Sequence, residues 1–433
     1  MSIDLRRLES LCGSPWGVMQ NPHSRIRNSE GLPVTVVVTR NRENKNLGAK
    51  HSFEGVGASF NPEVAYVKSI LEAAERYCQT FGPDPESLKK GSYLDLKEDF
   101  DLIAPERLNL YTDAAYSTVE VRPYEKDRSI LWSTVISVHT GQQYWIPSDF
   151  VYYNTDKENR LFVQTSNGTA IHESLAKAIE SASLELIERD LLMIYWKQKL
   201  RPISIDSKSV FSFLGIENKV NCLDFFENIR FFWYPLPFSL YAVSCGIFGN
   251  TEKDQPAFVL GGAAHQNLFH SLLKSLEEAL QVYSLSHMFV KSRKKLKPED
   301  VVHFSDHAFF YADSENQKKH NSIFLKDSEE QLTVSDILKT AETSQPSESP
   351  ILDYLRSLGL DLLYCDLTTR DVHQAGYKVV RAISPGLLGL DMNHNLRLDY
   401  IPTEKKYWVL EDGSFELRDF TSGPLNESPH PFA

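Results

Sequence analysis

Cysteine is scarce and unpaired in this sequence: Cys12, Cys78, Cys222, Cys245 and Cys365 are five among 433 residues, with no CxxC spacing. An odd count without that spacing excludes a disulfide framework and a cysteine-based zinc site. Cationic excess is missing as well. Lys plus Arg is 46 against 58 Asp plus Glu, a net charge of −12, so no broad surface is expected to hold a nucleic-acid backbone. An anionic ligand would need cations arranged locally, from side chains or from metal ions. The sequence has no GxxxxGK[ST], HExxH or GxSxG, which excludes a P-loop, a zincin site and a nucleophile elbow. Long apolar runs are also lacking. The longest uncharged stretch, Phe231 to Thr251, contains Pro235, Pro237 and Gly246 and reads as two buried strands around a turn. The opening MSIDLRRLES has no apolar signal segment. A cytoplasmic location in a reducing compartment is expected, with no membrane and no nucleic-acid partner.

What is present is an ordinary globular balance, 42% hydrophobic and 24% charged. The length allows ~3 domain-sized units or one large core. Leu32 to Thr39 reads as a buried strand from its β-branched density. Gly55-Val-Gly57 reads as a loop, followed by a helix from Pro62 to about Phe81. Strands are expected between Ile130 and Tyr153 and between Asn228 and Ala264. Further helices are expected over Ser174 to Lys199 and Leu268 to Phe289. Lys291–Asp300, Asp313–Ser322 and Thr340–Pro350 read as surface loops, the last as a linker.

One local pattern occurs twice: Glu72-Ala-Ala-Glu75-Arg76 and Glu185-Leu-Ile-Glu188-Arg189. The i, i+3 spacing puts both carboxylates of each pair on one helical face. A lone ExxER is most often a solvated helix with local Glu–Arg pairs. Here, however, Glu188 has Leu184, Leu191 and Leu192 among its helical neighbours, and a bare charge in apolar surroundings costs several kcal/mol. These carboxylates need a cation. Four glutamates around one cavity would be the hard oxygen environment of magnesium, which can bridge carboxylate to phosphate. Between the two copies, Thr165-Ser-Asn167-Gly168-Thr169-Ala170 reads as a polar turn leading into the second helix, where exposed amides suit an anion.

Together these segments resemble the YcaO family of ATP-dependent enzymes that modify peptide backbones. The match includes Gly55-Val-Gly57, Ser69 to Tyr77, Ser166 to Ala170 and Glu185 to Asp190. It continues with Asp366 to Asp371 and Gly376 to Leu387. The resemblance implies an α+β YcaO fold, with mixed or antiparallel sheets, packed helices and an ATP site between the two ExxER helices. Residues 1–54 would form an N-terminal segment and 55–433 the YcaO domain, ending in a proline-rich tail over 421–433. It implies metal roles for Glu72, Glu75, Glu185 and Glu188. Nucleotide contacts would come from Ser69, Asn167 and Arg189, with Lys68, Arg76 and Gln281 named for their place beside the motifs. The closing Pro429-His-Pro431-Phe-Ala433 resembles the proline-alternating terminus of the azoline-forming branch, which would give Pro429, Pro431 and Ala433 a catalytic role through the terminal carboxylate. Prolines lower the entropy cost of ordering such a tail; otherwise chain ends usually fray.

The implied activity is cyclodehydration of Cys, Ser or Thr in a ribosomally made precursor peptide, using ATP and Mg2+, within bacteriocin- or microcin-like natural-product biosynthesis. The implied partners are the precursor peptide, a separate leader-binding protein that activates this subunit, and a flavin-dependent azoline dehydrogenase. A homo-oligomer is left open. Two alternatives remain: a YcaO enzyme forming thioamides or amidines, and a degenerate non-catalytic scaffold of a synthetase complex. The second draws on departures from the family pattern at His172-Glu173, Lys177 and Tyr283, and on Ala433 where proline is typical. Cys78, beside the first ExxER, reads as core rather than nucleophile.

Overall fold

A computed structural model describes residues 5–13, 17–25, 32–41, 53–81, 84–108, 111, 116, 121–153, 159–220, 228–321, 323–324, 331–342, 347–398, 405–410, 413–419 and 424–432. The chain forms two compact units. The first comprises residues 1–30, 34–183 and 361–385; the second comprises 31–33, 184–360 and 386–433. Three long helices carry the residues of interest: α1 (Pro62–Phe81), α2 (Leu175–Lys197) and α3 (Leu268–Lys291). All three begin and end within a few residues of their expected bounds. The unit boundary falls inside α2, so Glu185 and Glu188 belong to the second unit.

In the first unit, strands His23–Arg25, Thr35–Arg40 and Glu54–Ser59 form an antiparallel sheet. Gly55 and Gly57 lie in its last strand, not in the loop expected from the sequence. The reason is contact with α1. A Cβ on Gly57 would overlap the Ala65 carbonyl oxygen, and one on Gly55 would overlap that of Ser69. Glycine therefore lets the strand lie directly on the helix backbone. A second sheet runs in the order Lys89–Gly91, Ile130–Ser137, Leu363–Asp366, Lys378–Ile383, Thr169–His172, with Gln143–Pro147 also paired to Ile130–Ser137. Ile70, Ala73, Ala74 and Cys78 of α1 join Trp132, Val135, Leu363 and Val379 in one hydrophobic core. Cys78 is core, as expected; burial pushes its thiol up to about 12.

In the second unit the order is Val259–His265, Tyr241–Ile247, Ile229–Tyr234, Ile203–Ile205. Ile229–Tyr234 and Tyr241–Ile247 are the two buried antiparallel strands expected between Phe231 and Thr251. Leu272, Leu276, Ala279 and Leu280 make up much of the buried side of α3.

Two expected loops are partly helical. Ser314–His320 is a helix because Asp313 accepts from the amides of Glu315 and Asn316, while Lys318, Lys319 and His320 occupy the last turn. Capping and charge at both ends outweigh the polar composition. In the expected linker, residues 340–342 end the helix Val334–Glu342 and Pro350 opens the helix Pro350–Ser357. Residues 343–346 lie outside the described residues. No described helix is long and apolar enough to cross a membrane.

Replacing Gly57 by Ala should cost about 2–3 kcal/mol, the usual scale of overpacking. Urea unfolding of the variant against wild type measures it, and an unchanged midpoint would contradict the strand-on-helix contact.

Candidate active site

The first unit supplies one glutamate pair. On α1, Arg76 lies between the two carboxylates, with Nη2 3.2 Å from Glu72 Oε1 and Nη1 2.9 Å from Glu75 Oε1. The other oxygen of Glu72, Oε2, accepts from the Val56 amide at 2.9 Å. Val56 stands between Gly55 and Gly57, so the glycines that bring the strand onto α1 also deliver this amide. Ser69 is fully buried. Its hydroxyl donates to the Tyr66 carbonyl at 2.8 Å and lies 2.9 Å from Thr39 Oγ1. Lys68 Nζ donates to the Ala58 carbonyl at 3.2 Å.

Asn167 lies at the tip of a four-residue turn closed by the Thr169 amide donating to the Ser166 carbonyl at 3.0 Å. Gly168, at φ +71°, takes the left-handed position that such a turn requires. The turn does not lead into a helix as expected. It enters the strand Thr169–His172, which pairs with Lys378–Ile383, and α2 starts only at Leu175. A helix-terminus anion site is therefore not what this turn provides: sheet pairing claimed the segment. His172 is half-buried and its Nδ1 accepts from the Glu173 amide at 2.8 Å. Burial first, then Lys177, lowers its pKa.

The second unit supplies the other pair. Glu185 is ion-paired with Arg189 one turn along α2. Glu188 is buried; its Oε2 accepts from the Ala264 amide at 3.1 Å and lies 3.5 Å from Lys274 Nζ. Lys274 is half exposed, and the Glu188 carboxylate raises its pKa to about 12. The protein packed around Glu278, and then the Glu188 carboxylate, push the Glu278 carboxyl up to about 8. Lys274 and Glu278 escaped the sequence reading. Their signal was there: Lys274, Glu278 and Gln281 stand at i, i+4 and i+7, on one face of the helix. Tyr283 is buried and stacks on His287.

The proline-rich tail is docked rather than frayed. Pro429, His430, Pro431 and Phe432 are buried, while Ala433 lies outside the described residues. Tyr311 donates its hydroxyl to the Pro429 carbonyl at 2.5 Å, and Trp196 Nε1 donates to Ser428 O at 3.1 Å. The His307 and His430 rings stack at 3.7 Å, with His307 Nδ1 2.9 Å from the His430 carbonyl. The tail thus packs near the end of α2, with Trp196 roughly 12 Å of helix rise from Glu188.

The donor set fits a hard divalent cation. No three His, Cys, Asp or Glu among the described residues are already gathered around a metal position. Instead each glutamate pair is neutralised by Arg76, or by Arg189 and Lys274. Burial first, and the Glu188 carboxylate second, raise Glu278; a divalent cation bound nearby would favour its charged form.

Comparisons with known proteins bear on the fold and the family. A sequence profile described as YcaO cyclodehydratase, ATP- and Mg2+-binding, matches residues 56–388. The chain is 24% identical over 232 residues to the microcin B17-processing protein McbD of Escherichia coli, covering 53% of this chain and 56% of that one. Among solved structures, a heterocyclase in complex with substrate and cofactor matches with a TM-score of 0.70 at 19% identity, over 99% of this chain and 56% of the other. YcaO from Methanopyrus kandleri, bound with AMPPCP and Mg2+, matches at 0.58 and 17% identity over 89% of each chain. The E. coli microcin synthetase McbBCD complex matches at 0.57 and 16% identity, over 84% of this chain and 88% of the other. These likenesses show the fold, and the chain spans about half the length of McbD and of the heterocyclase.

Tail docking should depend on pH. Burial lowers the pKa of His307, and burial together with His307 holds His430 well below the usual imidazole range, with Lys197, His394 and Asp391 facing the pair. The docked tail therefore binds fewer protons than the free tail. Its stability is complete above pH ~6.5 and falls as pH drops below that value. Carboxypeptidase should release C-terminal residues faster at acidic than at neutral pH, after correction for the enzyme's own profile; equal rates would refute this.

Proposed function

The chain belongs to the YcaO family, and from that premise we propose that it is the ATP- and Mg2+-dependent cyclodehydratase subunit of a peptide-modifying system. The activity is assigned to residues 55–433, with 1–54 as an N-terminal segment. The substrate would be a ribosomally made precursor peptide, and the products thiazoline or oxazoline rings at Cys, Ser or Thr. The observation that carries this reading is that both units present an ExxER glutamate pair neutralised by basic side chains. That is a state from which a metal–nucleotide complex can take over the carboxylates.

In this reading Glu72, Glu75, Glu185 and Glu188 hold magnesium. Ser69, Lys68, Arg76, Asn167, Arg189 and Gln281 surround the nucleotide. Lys274 and Glu278 join them because they share charge contacts with Glu188. Bound magnesium would supply charge neutralisation at the phosphates. The peptide's own thiol or hydroxyl attacks the preceding amide carbonyl, and the resulting oxyanion attacks the γ-phosphate of ATP. Phosphate then leaves with the former amide oxygen, giving the azoline, ADP and phosphate. No side-chain nucleophile is needed; the chain positions reactants and moves protons. The tail through Pro429, Pro431 and Ala433 is the proposed positioning or basic element.

A separate leader-binding protein and a flavin-dependent azoline dehydrogenase are the proposed partners, in a complex like the McbBCD synthetase, which is described with pro-MccB17 bound. The proposed location is the cytoplasm.

Calorimetric titration with ATP and Mg2+, with the partner present, is the direct test. Wild type should bind only with the metal, and Glu188→Gln should lose at least tenfold in affinity, since it removes one charge from the metal set. Mass spectrometry of the peptide should then show the loss of one water per ring. Retained mass with intact nucleotide binding would point to other backbone chemistry, and no binding would leave a scaffold.

A further inference from the structure

Gln79 follows Glu75 by four residues and Glu72 by seven, so the three share a face of α1. It is fully buried, and its Nε2 donates to Thr169 Oγ1 at 2.7 Å. Its Oε1 is buried without a hydrogen-bond partner among the described residues. Thr169 closes the turn that carries Asn167. Arg381 lies directly opposite Thr169 in the sheet, and the residue is 5% exposed. Its Nη1 donates to the Thr165 carbonyl and, at 3.3 Å, to Thr169 Oγ1. The Ala382 amide donates to the Gly168 carbonyl at 2.7 Å. One arginine nitrogen therefore ties together residues on both sides of the turn, and the same threonine oxygen is tied to the glutamate helix through Gln79.

We propose that Gln79, Thr169 and Arg381 are positioning residues for the nucleotide, holding Asn167 in register with Glu72 and Glu75. The inference rests on the reading that α1 and this turn hold ATP. Ordinary packing would not favour such a cluster. A buried guanidinium and an unpaired buried amide oxygen both cost free energy, and apolar residues of similar volume often replace buried polar groups at no loss of stability. What the polar cluster provides is one discrete geometry. Placement is what an active site needs, because an error of about 1 Å can cost ~100-fold in rate. Arg381 also sets a fixed positive charge beneath the turn, where a polyphosphate would add negative charge.

The test uses the full chain with its partner and probes ATP·Mg2+ by calorimetry, alongside the melting temperature without ligand. Thr169→Ser keeps the hydroxyl and should bind as wild type does. Thr169→Val, Gln79→Leu and Arg381→Gln should each bind about tenfold more weakly. In turnover, the KM for ATP should rise by a similar factor while the KM for the peptide stays unchanged. Arg381→Lys keeps the charge on a shorter side chain without the planar fork, so it should bind more weakly than wild type and more tightly than Arg381→Gln. If Arg381→Gln fails to fold, the comparison of Ser with Val at position 169 decides. Should these variants melt earlier yet bind ATP·Mg2+ as tightly as wild type, while Glu188→Gln abolishes binding, the positioning role is overturned and the functional reading stands. A wild-type chain that binds no ATP·Mg2+ overturns both.

Discussion

Carboxylates on helices that are otherwise packed into apolar surroundings must each find a counter-charge, and the local structure around both glutamate pairs follows from that requirement. On α1 the counter-charge is Arg76, held between Glu72 and Glu75. On α2 it is Arg189 for Glu185 and Lys274, reaching from α3, for Glu188. Backbone amides complete the compensation, Val56 for Glu72 and Ala264 for Glu188. In both units the amide belongs to a sheet that packs against one of the long helices. The fold thus brings donors to the acids through strand-on-helix contact, and the glycines beside Val56 exist to permit that contact.

Such compensation is strong enough to hold Glu188 buried and the other three acids partly buried, and weak enough to exchange. A half-exposed lysine at 3.5 Å is a loose partner, and exposed ion pairs contribute little net stability. In the proposed function, a divalent cation with a polyphosphate would offer the same carboxylates a better arrangement, since metal and anion would arrive together and the basic side chains could turn to the phosphates. An acidic protein can in this way bind an acidic ligand without a basic surface.

The C-terminal segment obeys a different constraint. Its backbone carbonyls at Ser428, Pro429 and His430 would be costly to bury unpaired, and Trp196, Tyr311 and His307 each donate to one of them. The alternating prolines leave few backbone amides needing acceptors, which makes burial of an extended segment feasible. Order at this chain end comes from donors supplied by two distant helices, not from any local propensity.

Much of this was legible in the sequence. The three long helices were visible because their apolar periodicity and lack of interior proline are local properties, and Cys78 read as core for the same reason. The glutamate pairs stood out because charge is expensive on an apolar helix whatever it packs against. The long-range pairings were not legible. Gly55-Val-Gly57 read as a loop because glycine is locally permissive, and only its contact with α1 made it a strand. The Ser166–Thr169 turn seemed to open a helix because nothing local reveals that Lys378–Ile383 pairs with the residues after it. Ser314–His320 was obscured by its polar composition, although Asp313 was a visible cap. Lys274 and Glu278 became significant only when α3 brought them to Glu188. Sequence alone determined the three long helices and which charges need partners, because both are set by residues within a turn or two. Only the tertiary structure decided who those partners are, because a counter-charge is chosen by distance in space and not along the chain.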